Sequence, residues 1–295
     1  MVLSSSLLSE LRLLRQQFIK ERTLWIPSIE MVRICCGLGA STYDMAPART
    51  VSDSLRADPT LPFRRTKNGR FALDFASRHL RRLEPQPFIL TAAEDFVRHD
   101  SGQVRKFEDV DAPLQYNLVL HALFRFKAFM INGVDIKHHP GLDYTSTRSV
   151  CTLFHVRTVT DVRQGMLGQP ALEGVHSDGV DFTMTTLLGH QNTRGDSAET
   201  FLHSPQERNS IAWNETAPAF LVGKVQHVDF LDTLLICDHE RKHSVSPVWS
   251  VDESNAALRD MLVFFTRKPV VEGHVSYPYD SFREHERLPL TIELV

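Results

Sequence analysis

Two short segments of this 295-residue chain carry metal-binding side chains at spacings that proteins use for catalysis. The first, HERKH, matches the zinc-protease pattern His-Glu-x-x-His: on a helix, His239 and His243 would bind zinc and Glu240 would be the general base. The second lies in EGVHSDGVDF, where His176 and Asp178 are two residues apart. The two segments imply different chemistry, and the local structure around each one decides between them.

The residues around HERKH do not favour a helix. The run LLIC before it is typical of a strand, Asp238 is a turn-forming residue, and Pro247 follows four residues after His243. The segment SVSPV alternates with period two, as an extended chain does. We therefore predict a strand, a tight turn through HER and a new strand that opens at Lys242, an arrangement that disfavours the protease site.

The segment with His176 and Asp178 predicts another kind of metal site. In an extended chain, residues i and i+2 point to the same face, so an imidazole and a carboxylate at this spacing can bind one ion. A third ligand from a neighbouring strand would complete the 2-His-1-carboxylate triad of non-haem Fe(II) oxygenases. That triad leaves coordination positions open for substrates.

A second copy of the pattern occurs at His227 and Asp229. From His227 only about a dozen residues remain before His239, too few for several strands of ordinary length. By contrast, 66 residues separate His176 from His243. The spacing favours the first copy as the partner of a distal histidine, and we expect His227 and Asp229 to lie at the surface or at a strand edge.

The elements that must position these residues change in character near residue 147. Before that point, apolar residues recur at helical spacing within residues 5–20, and the apolar segment 112–132 is a second candidate helix. Thr91 and Glu94 form a capping-box pattern, which predicts the start of a short helix. The N-terminal part is therefore expected to be mainly helical.

After that point, short β-branched and aromatic segments alternate with turn-forming clusters. They are SVCTLFHVRTVT, DFTMTTLLG, ETFLH, APAFLVGKVQHV, DTLLICD and DMLVFFTR. Such a series predicts an antiparallel sandwich or jelly roll. We predict an α+β fold with a double-stranded β-helix (jelly-roll) core in a single domain, 1–295. Residues 1–145 would form a mainly helical N-terminal wrapping, 146–270 the core and 271–295 a C-terminal extension.

Composition restricts the class of protein. The chain is 42% hydrophobic and 23% charged with a net charge of −3, so it has material for a sizeable core and no basic footprint for nucleic acid. The basic clusters FRRTKNGR and RHLRR are expected to be solvated. Four cysteines without a Cys-x-x-Cys spacing, an N-terminus that resembles an amphipathic helix and the lack of a long apolar run predict a cytoplasmic protein without membrane contact.

Four stretches of the chain resemble one enzyme family. PALEGVHSDGVDF, the later KHSVSPV and ALRDMLVFFTR resemble segments of iron- and 2-oxoglutarate-dependent dioxygenases of the bacterial L-isoleucine 4-hydroxylase type, and HVRTV resembles a short strand of that family. The resemblance spans residues from about 100 to 270 and is specific at the two histidine segments.

The resemblance implies a set of site residues and cofactors. His176, Asp178 and His243 would be the ligands of Fe(II), and Arg259 would pair with the distal carboxylate of 2-oxoglutarate. Arg267, at the far end of the same strand, is the alternative anchor. An arginine suits this role because its planar guanidinium binds a carboxylate through two hydrogen bonds and stays charged. O₂ is the remaining co-substrate, and no side-chain general base is expected.

The resemblance also implies the reaction, which is hydroxylation of an unactivated C–H bond in a small molecule, most simply a free L-amino acid. Arg157 and Arg194 are candidates for its carboxylate, and Asp181 and Thr183 can support the ligands if the chain bends after Gly179. A catalytically silent jelly-roll binding protein and a hydroxylase of a macromolecule remain alternatives. The sequence leaves open which substrate is oxidised and at which position. It also leaves open whether the product is hydroxylated, desaturated or cyclised, and what the oligomeric state is.

Overall fold

The structure, a computed structural model, describes residues 3–91 and 101–295. Within these ranges the helices are α1 (Ser5–Glu21), α2 (Ser28–Gly37), α3 (Thr42–Thr50), α4 (Ala112–Gln115) and α5 (Leu118–Ile131). The helices predicted within residues 5–20 and 112–132 are confirmed. The helix predicted to start near Thr91 falls outside the described residues.

The strands are concentrated after residue 147, as predicted. In chain order they are β1 (Thr23–Ile26), β2 (Arg64–Asp74), β3 (His79–Leu83), β4 (Glu108–Asp109), β5 (Arg148–Thr160), β6 (Phe182–Gln191), β7 (Glu199–His203), β8 (Leu221–Gln226), β9 (Thr233–Cys237), β10 (Lys242–Val245), β11 (Ala257–Arg267) and β12 (Thr291–Glu293). The six predicted strand segments correspond to β5, β6, β7, β8, β9 and β11.

Two antiparallel sheets form the core. The larger runs β1-β9-β6-β11-β5-β2-β3-β12, with β4 parallel to β2, and the smaller runs β10-β7-β8. Side chains from both sheets line one cavity, so the sheets face each other in the manner of a jelly roll. The predicted α+β jelly-roll fold is confirmed.

The strands of the larger sheet separate the helical core from the cavity. Side chains alternate between the two faces of a strand. In β5, Cys151 and Leu153 join the hydrophobic core, where α5 contributes Phe124 and Phe126, whereas Phe154 points toward the cavity. Helix α5 is buried over most of its surface, which explains why its sequence is apolar all round.

The N-terminal region contributes more to the sheet than its predicted role as a helical wrapping. Strand β2 pairs with β5 along its full length, β3 pairs with β2, and β12 of the C-terminal extension pairs with β3. Among the described residues, no helix is long and apolar enough to span a bilayer.

The prediction that the two basic clusters are solvated is wrong for three of their cationic residues. Lys67, Arg70 and Arg82 are all buried. Each one forms an ion pair with an aspartate from elsewhere in the chain. The pairs are Lys67 with Asp111, Arg70 with Asp280 and Arg82 with Asp109. Burial of a cation is costly unless such a partner compensates for the lost hydration, and here each partner lies far away in sequence.

Candidate metal centre and its cavity

The HERKH segment is not helical. Strand β9 ends at Cys237, residues Asp238–Glu240 form a single 3-10 turn, and β10 follows. The His239 ring bonds to the carbonyl of Lys137, and Glu240 forms an ion pair with Arg22 at 3.1 Å. The predicted strand, turn and strand are confirmed, and the geometry of a zinc protease is absent from this segment.

His176, Asp178 and His243 lie together. One donor atom from each lies within 4.8 Å of the other two, and the three side chains are almost completely buried. His176 Nε2 is 3.4 Å from Asp178 Oδ1, and His243 Nε2 is 3.7 Å from Asp178 Oδ2. The backbones of the two histidines also exchange N–H···O bonds of 3.0 Å, which fix β10 against the segment that leads into β6.

The hydrogen bonding of His176 directs its Nε2 atom toward the position that a metal would occupy. Its Nδ1 is 2.9 Å from the carbonyl oxygen of Gly174, which can only accept a hydrogen bond. The Nδ1 atom therefore carries a proton, and Nε2, which faces Asp178, is the nitrogen that would bind a metal by exchanging its own proton for the ion. Metal-binding histidines are commonly oriented in this way by a carbonyl behind the ring.

A bend and two supporting side chains position Asp178. Gly179 has φ +70°, a left-handed conformation that glycine adopts readily. After the bend, Thr183 donates a 2.8 Å hydrogen bond to Asp178 Oδ2, as predicted. Asp238 accepts hydrogen bonds from the backbone N–H groups of Asp178 at 2.9 Å and Val180 at 3.3 Å.

Neither aspartate near the bend has the role that the sequence suggested. Asp181 accepts a hydrogen bond from the Tyr144 hydroxyl at 2.6 Å and another from the Lys268 backbone, so it does not contact the ligands. Asp238, which resembles an ordinary turn residue, is fully buried and supports the ligand loop. In the sequence, only its position directly after an apolar strand and before HERKH indicated that Asp238 could be buried near the site.

Carboxylates dominate the electrostatics of the cluster. Burial disfavours a charged His176, but Glu173 and Asp178 outweigh it and raise the pKa of His176 to about 10. Burial and the neighbouring His176 lower the pKa of His243 to about 4. Burial and repulsion from Asp178 raise the pKa of Asp238. The cluster therefore stabilises positive charge, as a cation site must.

The three residues line a cavity of about 150 Å³ between the sheets, and Arg259 lines the same cavity. Arg259 is 7% exposed, and its Nε has no hydrogen-bond partner among the described residues. Burial lowers the pKa of Arg259 to about 10, so it remains charged at neutral pH. Arg267 instead forms a 3.0 Å ion pair with Asp280 and does not line this cavity.

The two arginines suggested for the substrate do not line the cavity. Arg157 forms a two-point ion pair with Asp260, with distances of 2.7 and 2.8 Å. Arg194 is half exposed and pairs with Asp196 at 2.6 Å. Both guanidinium groups are committed to neighbouring carboxylates, so the geometry gives no support to a role in substrate binding.

Other charged residues, which the sequence analysis missed, line the cavity. They are Asp58, Arg64, Arg105 and Glu173. Asp58 accepts hydrogen bonds from Thr60, Leu61 and Thr66 and so shapes its own loop. Glu173 Oε1 is 3.2 Å from His176 Nε2. The position of Glu173, three residues before His176, was the one available signal for it.

The prediction for the second copy of the pattern is wrong at one of its two residues. His227 is 6% exposed and lines the cavity, and its Nε2 is 3.1 Å from the Thr185 hydroxyl. Asp229 is exposed, as expected. His227 faces the cavity and Asp229 faces solvent, so the two side chains are not placed to bind one ion.

Two imidazoles and one carboxylate in a cavity between two sheets define the class of mononuclear non-haem iron oxygenases. A family model for 2OG-Fe dioxygenases matches residues 49–265, and the chain belongs to this family. It is accordingly a 2-oxoglutarate-dependent dioxygenase, as the resemblance implied. The donor set fits Fe(II), because two neutral imidazoles and one carboxylate leave part of the coordination sphere open.

Similar proteins support this conclusion. The solved structure of the Fe(II)/α-ketoglutarate-dependent dioxygenase TqaL has a TM-score of 0.84 and 43% identity, and the match covers 98% of this chain and 96% of that one. The bifunctional enzyme flvA of Aspergillus flavus is 42% identical over 95% of this chain, which spans 34% of that enzyme. IDO from Bacillus thuringiensis shares the fold, with a TM-score of 0.65, 14% identity and coverage of 88% and 99%.

Proposed function

We propose that this dioxygenase hydroxylates an unactivated C–H bond of a free L-amino acid with an apolar side chain. The observation that carries the proposal is the combination of Glu173, Arg105 and an aromatic wall in one cavity with the metal cluster. A carboxylate and a guanidinium complement the ammonium and carboxylate groups of an amino acid, and an apolar wall complements its side chain.

In this proposal His176, Asp178 and His243 hold Fe(II), and Arg259 binds the distal carboxylate of 2-oxoglutarate. When bound, iron and 2-oxoglutarate activate O₂, and the net reaction places one oxygen atom in the substrate and releases succinate and CO₂. The protein orients the C–H bond and excludes water from the cavity. No side chain has to act as a general base.

Glu173 is the candidate for the substrate ammonium group. Its Oε1 lies 3.2 Å from the metal-binding nitrogen of His176, and its side chain is 8% exposed. A carboxylate at this depth attracts a cation strongly, because little solvent screens it. An ammonium group bound there would place the adjacent carbon atoms of the substrate next to the metal.

Arg105 is the candidate for the substrate carboxylate. It is buried, and its guanidinium lies 5.1 Å from the centre of the Phe88 ring and 5.9 Å from that of Phe107. Phe154 contacts both rings edge-on and continues the aromatic wall toward Phe265.

The test is succinate release by the iron-loaded protein with 2-oxoglutarate and O₂ across a panel of L-amino acids, with mass detection of a product one oxygen atom heavier. Matched panels would contain amines without the carboxylate and 2-hydroxy acids without the ammonium group. We expect turnover with amino acids, loss of turnover with both analogue classes, and no activity in His176→Ala. Turnover of either analogue class would contradict the proposed recognition.

Two variants connect the panel to the residues. In binding measurements, Glu173→Gln should weaken the binding of amino acids more than that of 2-hydroxy acids. Arg105→Met should weaken the binding of amino acids more than that of amines. Succinate release without any oxidised amino acid would favour another substrate, including a macromolecule. Iron binding without succinate release under all conditions would favour a binding protein.

A further inference from the structure

The side chain of His227 has no role in the function described so far, yet it lies in the cavity. It is 6% exposed and its Nδ1 has no hydrogen-bond partner among the described residues. A buried nitrogen without a partner loses its hydrogen bond to water without compensation, so such an atom is expected to meet a ligand.

The surroundings of His227 fix where the ring lies. Its Nε2 is 3.1 Å from the Thr185 hydroxyl, and the Trp25 ring contacts it edge-on with centroids 5.0 Å apart. Asp232 accepts hydrogen bonds from the backbone N–H groups of Val228 and Asp229, both at 2.8 Å. The turn that follows His227 is therefore well defined, and so is the position of the ring.

The strand register places His227 on the Arg259 side of the sheet. Thr185, which touches the ring, pairs with Val263 on β11, and both line the cavity. Arg259 lies four residues before Val263 on the same strand and therefore on the same face. Burial, and to a smaller extent the positive charge of Arg259, lower the pKa of His227 to about 3, so the imidazole is neutral at neutral pH.

We infer that His227 is a second binding residue for the distal carboxylate of 2-oxoglutarate, with Nδ1–H donating to one oxygen while Arg259 binds the carboxylate as its counter-ion. Nε2 lies 3.1 Å from the Thr185 hydroxyl and 3.4 Å from the Thr185 carbonyl oxygen; in the tautomer that binds the carboxylate, the nearer hydroxyl donates to Nε2 and the ring proton is on Nδ1. A neutral imidazole suits this position, because a second cation beside a buried arginine would be repelled. The inference rests on the assignment of Arg259 in the proposed function and not on the identity of the oxidised substrate.

The test is anaerobic calorimetry of the Fe(II)-loaded protein with two ligands. One is 2-oxoglutarate, and the other is 2-oxopentanoate, which keeps the 2-oxo acid and has a methyl group in place of the distal carboxylate. We expect His227→Ala and the larger His227→Phe to weaken the binding of 2-oxoglutarate by roughly tenfold to a hundredfold, as for a lost hydrogen bond to a charged group. Binding of 2-oxopentanoate should not change.

Rescue variants separate binding from packing. In His227→Asn the amide can occupy the place of Nδ1, so 2-oxoglutarate affinity should recover in part, whereas His227→Gln places its amide near Nε2 and should not restore it. Equal weakening of both ligands in His227→Ala would show a structural role and overturn the inference. Unchanged binding of both ligands would also overturn it. No binding of 2-oxoglutarate by the unaltered protein would overturn the proposed function together with it.

Discussion

The carboxylate of Asp238 accepts a hydrogen bond from the backbone N–H of Asp178 at 2.9 Å, across 60 residues of sequence. Through this bond the turn that opens HERKH supports the loop that carries the first two donor residues, while β10 carries the third. The zinc-protease pattern is accidental, but the segment that contains it supplies one proposed ligand and supports another.

The first prediction concerns Asp238. Replacement by Asn keeps the size of the side chain but removes one of two acceptor oxygens, so an amide N–H would face a backbone N–H. We expect Asp238→Asn to lower Fe(II) affinity by roughly tenfold to a hundredfold, the usual effect of losing a group that orients a metal ligand. Calorimetric titration with the metal would measure the change.

Glu240, two residues later, provides a matched control. It pairs with Arg22 near the surface and is not part of the cavity lining. Glu240→Gln should leave both metal affinity and turnover nearly unchanged. If Glu240→Gln abolished activity while Asp238→Asn did not, the protease interpretation of HERKH would have to be restored.

The second prediction concerns Thr183, whose hydroxyl donates to Asp178 Oδ2 at 2.8 Å. Thr183→Val has nearly the same shape and removes only this donor, so we expect roughly tenfold weaker Fe(II) binding. Thr183→Ser keeps the hydroxyl and should bind iron almost normally. Equal losses in the two variants would indicate that packing, and not the hydrogen bond, is responsible.

The third prediction separates Arg259 from Arg267. Arg259→Met should raise the KM for 2-oxoglutarate by at least about a hundredfold, because a charged hydrogen-bonding partner in a buried site is lost. Arg267→Met should leave that KM within about twofold and reduce thermal stability instead, since Arg267 pairs with Asp280. The reverse pattern in steady-state kinetics would assign the anchor to Arg267.

The fourth prediction concerns Asp280, which lies between Arg70 and Arg267 and has a side chain 5% exposed. Asp280→Asn leaves Arg70 buried without its partner, so we expect a loss of about 3–5 kcal/mol in the free energy of unfolding at pH 7. Urea denaturation would measure it. Glu286→Gln, which disrupts only an exposed pair with Arg283, should not shift the midpoint.

The same variant has a predictable pH dependence. Burial opposes ionisation, but Arg267 and Arg70 outweigh it and lower the pKa of Asp280. A carboxylate with a depressed pKa stabilises the fold above its unfolded pKa of about 3.9 and loses that contribution as the pH falls through the folded value. The stability difference between Asp280→Asn and the unaltered protein should therefore shrink below about pH 4. A constant difference down to pH 2 would contradict the ion-pair explanation.

The sequence was informative where structure depends on local pattern. Alternation and turn residues identified six strands, and helical spacing identified α1 and α5. Period two also excluded a helix at HERKH. For the site, the i, i+2 spacing of His176 and Asp178 predicted a shared ion, and the family resemblance added His243; the fold brings donor atoms of the three residues within 4.8 Å of one another.

Charged residues were harder to place, because burial depends on distant partners. Lys67, Arg70 and Arg82 are buried, and each forms an ion pair with an aspartate that lies far away in the chain. Arg157 is an attractive substrate anchor in sequence, but Asp260 on the neighbouring strand β11 neutralises it. Local sequence patterns do not predict such ion pairs, because the two partners lie far apart in the chain.

By itself the sequence determined the strand pattern and the jelly-roll class, because these follow from side-chain period and spacing along the chain, and its resemblance to a known family indicated the three residues of the cluster. Only the tertiary structure decided what surrounds the cluster. In the packed structure Asp238 accepts a hydrogen bond from the backbone of Asp178. Glu173 and His227 line the cavity, and Asp229 is exposed to solvent. Those positions depend on contacts between residues far apart in sequence, whose geometry is fixed only when the sheets pack together.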